Sequence, residues 1–401
     1  MAGHIGIETA GSVLDRAAMG RRLSSADILA LYSLPANEIR AAAHALRLKC
    51  TDPEIATYSI GGNIDYTNVC VVACKFCAFY RARHQDGAFT LALDEIARQM
   101  DEIARIGGLD VLIQGGVNPD LPMSWYLDLL RLLKRDYPQI HVDAFSPEEI
   151  LGFEKLTGRG AYSILAELKE AGLDGVPGAA AEILVDRVRE RTAPTRIMTG
   201  DWFRIMDAVQ RLRLHVPWVS MVTGFGEAPS DRVRHLAALR DQQERALDRY
   251  GSGFAAFKVW PARLAHTRLN ASSLSGDLGR ARLDASFPAD QPGEIADAYL
   301  REVGICRLAL SNVVNHRAVW RTMGFPVASL ALRSGANDLC GTGSINAIDA
   351  AMAAAGKCLP DPNHALLSQV RDCIESAGFT AALRDPSYRV VFKHQAGASG
   401  K

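Results

Sequence analysis

Three cysteines lie close together in the first quarter of the chain, with the spacing Cys70-x3-Cys74-x2-Cys77. Thiolates at this spacing can bind one inorganic cluster from a single short loop. A plain electron-transfer iron–sulfur centre uses four cysteines, and no histidine or second cysteine pair follows at zinc-finger distance. Three protein ligands and one open metal position favour a centre that binds a further molecule.

Composition excludes several functional classes. The chain has 401 residues, with 45 basic and 45 acidic side chains and 48% hydrophobic residues, which is typical of a globular protein. The zero net charge gives no sign of a nucleic-acid or anionic-membrane partner. The sequence has no apolar run of membrane-spanning length and no signal-peptide core at its start. We therefore expect a cytoplasmic protein with reduced thiols, in which clustered cysteines indicate a metal centre or catalysis.

Helical and strand patterns alternate from about residue 91 to residue 260. Alternation of this kind predicts βαβ units around a parallel sheet, in an α/β fold. Either a barrel or an open doubly wound sheet would fit, although no Gly-x-Gly-x-x-Gly follows a first strand. The pattern predicts a helical N-terminal extension (1–53), one central domain (54–340) with a loop insert near 270–293, and a helical C-terminal extension (341–401).

The cysteine loop resembles that of radical S-adenosylmethionine (SAM) enzymes, which carry Cys-x3-Cys-x-aromatic-Cys. The resemblance implies a full or partial (β/α) TIM-type barrel, with Cys70, Cys74 and Cys77 binding a [4Fe–4S] cluster whose fourth iron chelates SAM. It also implies that Phe76 lies against the SAM adenine. A structural zinc site or three unrelated buried thiols are the alternatives.

Further motifs are similar to one radical SAM subgroup, which makes menaquinone by the futalosine pathway or the deazaflavin cofactor. This subgroup holds dehypoxanthine futalosine cyclase, aminofutalosine synthase and the tyrosine-using subunit of deazaflavin synthase, and the sequence is most similar to the cyclases. The matching segments are 63–70, 77–81, 114–121, 145–150, 171–178, 181–184 and 335–338.

The resemblance implies a one-electron reduction of SAM that yields a 5′-deoxyadenosyl radical, which takes hydrogen from an unactivated C–H bond. In the cyclase reaction this bond lies on a ribose, and the substrate radical closes onto the attached aromatic system. An external one-electron donor, such as flavodoxin or ferredoxin, is implied as well. The substrate would be a small nucleoside-like or aromatic molecule.

Several residues are candidates for SAM binding. Gly115 and Gly116 end a strand and leave room for the methionine part of SAM, or form an ordinary turn. By resemblance Glu182 binds SAM; alternatively, it balances a helix dipole from the first turn. Ser146 is either a pocket hydroxyl or the N-cap of the next helix. Phe79 lines the pocket or packs under the cluster.

Three carboxylates at or near predicted strand ends, Asp143, Glu227 and Asp338, are candidates for substrate hydrogen bonding or proton transfer. Solvated loop carboxylates are the alternative for each. His141 alternates with apolar residues, so it either points into the barrel or has a structural role.

The sequence departs from the cyclase pattern in four segments: 177–181, 224–227, 258–264 and 341–346. Most of these positions are expected beside the substrate, where lost polar contacts change selectivity strongly. A diverged relative acting on another nucleoside-like or aromatic metabolite therefore remains an alternative. Outside the radical SAM class, two alternative functions remain: an iron–sulfur electron carrier and a zinc-dependent barrel hydrolase.

Overall fold

The computed structural model describes residues 10–262, 264, 267–269, 293–340 and 362–394, without the side chains of 10–12 and 362–365. The predicted insert, apart from Gly293, lies outside the described residues. The departing segment 341–346 also lies outside them, as does the segment 345–355, for which the sequence pattern predicts a helix.

Helices and strands alternate along most of the chain, as the sequence predicts. The helices are α1 (Ala10–Ala18), α2 (Ser25–Leu31), α3 (Ala36–Cys50), α4 (Leu93–Arg105), α5 (Met123–Asp136), α6 (Pro147–Thr157), α7 (Ala161–Ala171), α8 (Asp186–Thr192), α9 (Thr199–Arg211), α10 (Pro229–Tyr250), α11 (Glu294–Ala309), α12 (Trp320–Leu332) and α13 (Pro362–Ser376). The strands are β1 (Ile55–Tyr58), β2 (Gly61–Asp65), β3 (Asp110–Gln114), β4 (His141–Ala144), β5 (Val219–Thr223), β6 (Ala256–Pro261), β7 (Asn315–Ala318), β8 (Asp338–Leu339), β9 (Thr380–Arg384) and β10 (Val390–Lys393).

Parallel pairing closes these strands into a barrel. One sheet has the order β2-β3-β4, and the other contains β1-β8-β7-β6-β5. Single parallel bridges through Gly175 and Gly178 join β4 to the segment that leads into β5. On the other side β1 runs into β2 after two residues, so one bent strand belongs to both sheets. The prediction of a TIM-type (β/α) barrel is therefore confirmed.

Side chains alternate between the helix layer and the barrel interior, here called the lumen. On β3, Val111 and Ile113 are fully buried under helices, whereas Asp110, Leu112 and Gln114 are half-buried. Since successive strand residues point to opposite faces, the second set lines the lumen. Polar residues on the lumen face thus have no helix against them.

The two extensions pack differently. Helix α3 lies along α11 on the outside of the barrel, as expected for a helical N-terminal extension. In the C-terminal extension helix α13 is followed by β9 and β10, so the prediction of a wholly helical segment is wrong there. Strand β9 pairs with the second edge of β1, and β10 pairs antiparallel with β9. This partner lies more than 300 residues away in sequence, so local periodicity does not reveal it.

Two other local predictions differ from the structure. The residue pattern over 181–191 predicts a helix, but α8 begins only at Asp186, because the backbone turns through Ala180 and Glu182 with φ values of 60° and 37°. The pattern from His215 to Val222 predicts a strand, but β5 begins at Val219, after isolated bridges at His215 and Val216. Both differences fall on segments that carry candidate site residues, Glu182 in the first and His215 in the second.

Candidate active site

The cluster loop, residues 70–77, follows β2 and lies against the end of β3. The Val71 N–H donates to the Val117 carbonyl at 3.0 Å, and the Cys77 N–H donates to the Cys74 carbonyl at 3.2 Å. A Cβ atom at Gly116 would lie 2.2 Å from the Val69 carbonyl oxygen. Glycine at that position therefore lets the loop approach the strand.

The three thiols on this loop suit a metal cluster. All three cysteines are free and half-buried. Burial raises the pKa of Cys74 to about 12, although the guanidinium of Arg196 opposes this effect, and burial also raises the pKa of Cys70. Without a metal these two thiols are neutral, whereas coordination to a metal cation deprotonates them. The donor set therefore fits an iron–sulfur cluster.

A small cavity beside the loop is lined by Phe76, Glu182, Arg196 and Phe225, among others. The rings of Phe76 and Phe225 have centroids 5.0 Å apart, and the Arg196 guanidinium lies 5.1 Å above Phe76. Arg196 Nη1 lies 2.8 Å from Glu182 Oε2, and its Nε lies 3.4 Å from Glu148 Oε2. This cavity places an aromatic ring and paired charges next to the cysteines.

Sequence reasoning missed Arg196 and Glu148. No motif links them to the cysteines, because they reach the loop from α6 and from the turn before α9. The feature that marks both residues as functional candidates is a charged side chain that is close to nine-tenths buried. Burial of this kind can be seen only in the folded structure. We name the cluster loop, Phe76, Glu182, Arg196 and Phe225 together the rim site.

The backbone around Glu182 argues against one of its two predicted roles. Helix α8 begins four residues after Glu182, so this carboxylate does not balance a helix dipole from a first turn. Its carbonyl accepts from the Val222 N–H at 3.0 Å, which fixes the turn against β5. A left-handed non-glycine residue is costly, and such residues are concentrated at functional sites. The geometry is consistent with the predicted SAM contact, which stays a prediction.

Ser146, Gly115 and Glu149 form a buried hydrogen-bonded group beneath the rim site. Ser146 is the N-cap of α6: its hydroxyl accepts from the Glu149 N–H at 3.3 Å and donates to Glu149 Oε2 at 2.7 Å. The Gly115 N–H donates to Glu149 Oε1 at 3.2 Å, and a Cβ there would lie 2.7 Å from the Tyr66 ring. Burial raises the pKa of Glu149 to about 8. Helix capping and strand-to-loop packing thus account for the serine and the glycine.

Phe79 is half-buried two residues beyond Cys77. Its predicted position in the pocket or under the cluster remains a prediction.

Asp143 faces the lumen together with two histidines. Its Oδ1 lies 3.2 Å from both His141 Nε2 and His215 Nδ1, and these two nitrogens are 3.1 Å apart. Burial opposes ionisation, but the two imidazoles prevail and lower the pKa of Asp143 to about 2. We name these three residues the inner triad. The sequence pointed to Asp143 and to an inward His141, and it placed His215 in a plausible strand without indicating that the three would meet.

Glu227 does not face the lumen as an open carboxylate. It accepts from the backbone N–H groups of Gly224 and Phe225 at 3.0 and 2.8 Å. Arg232 Nε donates to its Oε1 at 2.9 Å, and the side chain is fully buried. These contacts hold Glu227 in the turn after β5, and its role in substrate hydrogen bonding or proton transfer stays a prediction.

Asp338 is likewise held within the protein. Its Oδ2 accepts from Thr57 Oγ1 at 2.7 Å and from Arg384 Nε at 2.5 Å, and Arg317 Nε lies 3.5 Å from Oδ1. The side chain is fully buried. Asp338 thus ties β8 to β1 and to the C-terminal strand β9, and its role in substrate hydrogen bonding or proton transfer stays a prediction.

Lys258 is a lumen residue that the sequence marked only as part of a departing segment. Its ammonium lies 3.3 Å from the ring centroid of Trp218 and 4.8 Å from that of Trp260. Burial lowers the pKa of Lys258 to about 8. No carboxylate pairs with it among the residues that the structure describes, so its charge is available to a ligand.

Within the described ranges, no helix combines the length and apolar character needed to cross a bilayer.

Radical SAM enzymes are defined by a parallel barrel with three cysteines on the loop after the first barrel strand. This chain has that barrel, those cysteines on the loop after β2, and a charged cavity beside them. The Radical SAM superfamily model matches residues 64–239, and the CofH/MqnC C-terminal region model matches residues 285–396. The chain belongs to the radical SAM superfamily, in the group of the futalosine-pathway and deazaflavin-related enzymes.

Named relatives of two kinds are similar along most of the chain. Cyclic dehypoxanthine futalosine synthase of Halalkalibacterium halodurans is 34% identical and aligns with 94% of this chain and 94% of its own length. The 5-amino-6-(D-ribitylamino)uracil–L-tyrosine 4-hydroxyphenyl transferase of Microcystis aeruginosa is also 34% identical, over 82% of this chain and 86% of its own. Identity alone does not separate the two.

Solved structures share the fold. The hydrogenase maturase HydG gives a TM-score of 0.65 at 13% identity, covering 93% of this chain and 76% of its own. Methylornithine synthase gives a TM-score of 0.59 at 15% identity, covering 82% of this chain and 86% of its own. Both likenesses support the barrel and nothing more specific.

The protein is therefore an enzyme that uses a [4Fe–4S] cluster and SAM. Radical SAM enzymes act on small molecules and need an electron donor. When bound, the two cofactors supply a carbon-centred radical that removes a hydrogen atom from the substrate. Cys70, Cys74 and Cys77 would hold the cluster, as their free thiols and shared loop allow.

Proposed function

We propose that this enzyme cyclises dehypoxanthine futalosine to cyclic dehypoxanthine futalosine, in menaquinone biosynthesis. The end-to-end similarity to a cyclic dehypoxanthine futalosine synthase, covering 94% of both chains, carries the proposal. A second relative of that name, from Streptomyces coelicolor, is 31% identical over 95% of this chain.

The lumen supports a substrate that is both aromatic and polar. Trp218 and Trp260 offer ring faces to an aromatic system, and Lys258 between them offers a charge. The inner triad adds hydrogen-bonding groups on β4 and on the segment before β5, which also carries Trp218. Side chains of these types suit a nucleoside-like molecule better than an apolar one.

The chain's own residues have three tasks in this reaction. The rim site holds the cofactors, with Phe76 against the adenine and Glu182 and Arg196 beside the polar part of SAM. The lumen orients one ribose C–H bond and excludes other hydrogen donors. The inner triad offers polar atoms that can orient a polar group of the substrate in the lumen.

The transferase reaction is the second candidate. It is supported by the Microcystis relative at the same 34% identity. Segments 177–181 and 224–227 depart from the cyclase pattern, so the transferase reaction remains an alternative. The aminofutalosine synthase reaction and a reaction on a different nucleoside-like or aromatic substrate remain alternatives for the same reason. A cytoplasmic location and a flavodoxin or ferredoxin donor are parts of the same proposal.

Anaerobic assays with reconstituted enzyme, SAM and dithionite test this assignment. We expect 5′-deoxyadenosine and a product two hydrogen atoms lighter than the substrate when dehypoxanthine futalosine is supplied, both measured by mass spectrometry. A parallel reaction contains tyrosine and 5-amino-6-(D-ribitylamino)uracil. Product in the parallel reaction alone would replace the cyclase assignment by the transferase one. The Cys70→Ala variant is the blank for both reactions.

A further inference from the structure

The inner triad occupies one level of the barrel wall. Asp143 forms a parallel bridge with Gly175, and Gly175 forms one with His215, while His141 lies two residues before Asp143 on the same face of β4. His141 and Asp143 are part of β4 itself, whereas the three cysteines lie on the loop that follows β2. The triad therefore belongs to the barrel wall and shares no residue with the rim site.

Three potential ligand atoms converge at this level. Asp143 Oδ1, His141 Nε2 and His215 Nδ1 form a triangle with sides of 3.2, 3.2 and 3.1 Å. Metal bonds of about 2.0–2.2 Å to histidine and carboxylate place neighbouring ligand atoms about 3.0–3.4 Å apart, for angles between octahedral and tetrahedral. The triangle has the dimensions of one face of a metal coordination shell.

Hydrogen bonding alone leaves one side of the triangle unsatisfied. An ionised aspartate only accepts, and each imidazole nitrogen that faces the triangle carries at most one proton. If both nitrogens are protonated, two N–H groups oppose each other across 3.1 Å. If only one is protonated, the bare nitrogen and the carboxylate oppose each other with lone pairs. A cation at the centre satisfies all three atoms together.

The surroundings leave room for a cation and favour it. A Cβ atom at residue 175 would lie 2.1 Å from Asp143 Oδ1, so glycine keeps the space beside the triad free. Asp110 is the register partner of His141, and Asp174 Oδ2 lies 3.9 Å from His141 Nδ1. Lys134 pairs with Asp174 at 2.5 Å, which offsets one of these charges. Burial raises the pKa of the Asp110 carboxyl, and the guanidinium groups of Arg384 and Arg317 oppose this effect.

We propose that the inner triad binds one divalent transition-metal ion, distinct from the iron–sulfur cluster. Two histidines and one carboxylate on a single face match the ligand set of facial metal sites with open positions. The open positions would face the lumen, where an oxygen or nitrogen atom of the substrate could bind and be oriented. The proposal concerns metal binding alone and holds whichever substrate the enzyme uses.

Zinc retention by the reconstituted holoenzyme tests this proposal. The enzyme is incubated with Zn²⁺, passed through a desalting column, and analysed for zinc and iron by mass spectrometry. We expect roughly one zinc per chain in the wild type, and at least a tenfold loss in Asp143→Asn and in His215→Gln. His84→Gln, at an exposed histidine, is the matched control and is expected to retain its zinc. Iron content and circular dichroism check that each variant is folded and carries its cluster.

Cobalt supplies a second readout that does not depend on activity. In the full-length Cys70→Ala/Cys74→Ala/Cys77→Ala variant, Co²⁺ should give d–d absorption without thiolate charge-transfer bands, and Asp143→Asn in that background should remove it. Zinc retained equally by the wild type and both triad variants would overturn the proposal. So would wild-type enzyme that retains no zinc and a cobalt spectrum that Asp143→Asn leaves unchanged.

Discussion

The rim site and the lumen are built in different ways. At the rim, one loop supplies all three cysteines, and backbone contacts with Thr67, Val69 and Val117 fix that loop against β3. In the lumen, each strand supplies one or two polar side chains at alternate positions. The rim therefore depends on a short stretch of chain, whereas the lumen depends on the register of the whole barrel. A variant at the rim should affect the cofactors, and a variant in the lumen should affect the substrate.

The largest effect is expected at the rim. Cys70→Ser removes one of three cluster ligands, so we expect the cluster and 5′-deoxyadenosine formation to be lost in full. The measurements are iron content, visible absorbance and SAM cleavage after anaerobic reconstitution. Cys50→Ser, at a free cysteine far from the loop in sequence, should retain all three. A brown Cys70→Ser preparation that still cleaves SAM would show that the loop is not the cluster site.

The charged pair at the rim should contribute strongly to stability. Arg196→Met leaves Glu182 and Glu148 without their cation in a largely buried setting, which costs about 3–5 kcal/mol of unfolding free energy. Arg204→Met breaks a two-point contact with Glu154 on the surface and should cost only about 0–1 kcal/mol. Urea unfolding of both variants measures the difference. Equal losses would mean that Arg196 is solvated, which would remove the rim site's defining pair.

The same contrast explains what the sequence predicted and what it did not. The cysteines and Phe76 lie within eight residues, so their spacing alone identifies the rim chemistry. Arg196 and His215 reach their sites from distant segments, and nothing in their immediate neighbours distinguishes them from surface or core residues. Alternating helical and strand periods predicted parallel βαβ units, and the resemblance to radical SAM enzymes, not the periods, implied a barrel in place of an open doubly wound sheet. The strands β9 and β10 were not, since β9 forms on the edge of a strand at the other end of the chain.

In the lumen, Lys258 should affect substrate use and leave SAM binding unchanged. Loss of a charge-assisted contact costs about 1.5–3 kcal/mol, so Lys258→Met should raise the substrate KM by roughly tenfold or more. Because the pKa of Lys258 is lowered to about 8, its ammonium is lost as the pH rises through that value, and the wild-type kcat/KM should fall there. Lys258→Arg keeps its charge and should abolish this alkaline decline. The exposed Lys155→Met is the matched control. A higher KD for SAM in Lys258→Met would mean that this lysine contributes to SAM binding, which would contradict its assignment to the substrate.

The smallest effect concerns backbone strain, which is concentrated near the rim. Three of the seven described non-glycine residues with positive φ lie in or beside its segments: Ala73, Ala180 and Glu182. At Ala180, with φ of 60°, glycine would relieve a left-handed conformation that costs an L-residue about 1–2 kcal/mol. The greater flexibility of unfolded glycine offsets part of this gain, so Ala180→Gly should stabilise the protein by about 0.5–1 kcal/mol.

Ala166→Gly, within helix α7, should instead lower the unfolding free energy, because glycine in a helix interior costs about 1 kcal/mol. Urea unfolding of the two variants beside the wild type therefore tests whether the chain stores strain before Glu182. If both substitutions destabilise by the same amount, the turn is relaxed. The position of Glu182 would then follow from its ion pair with Arg196 and not from the backbone that precedes it.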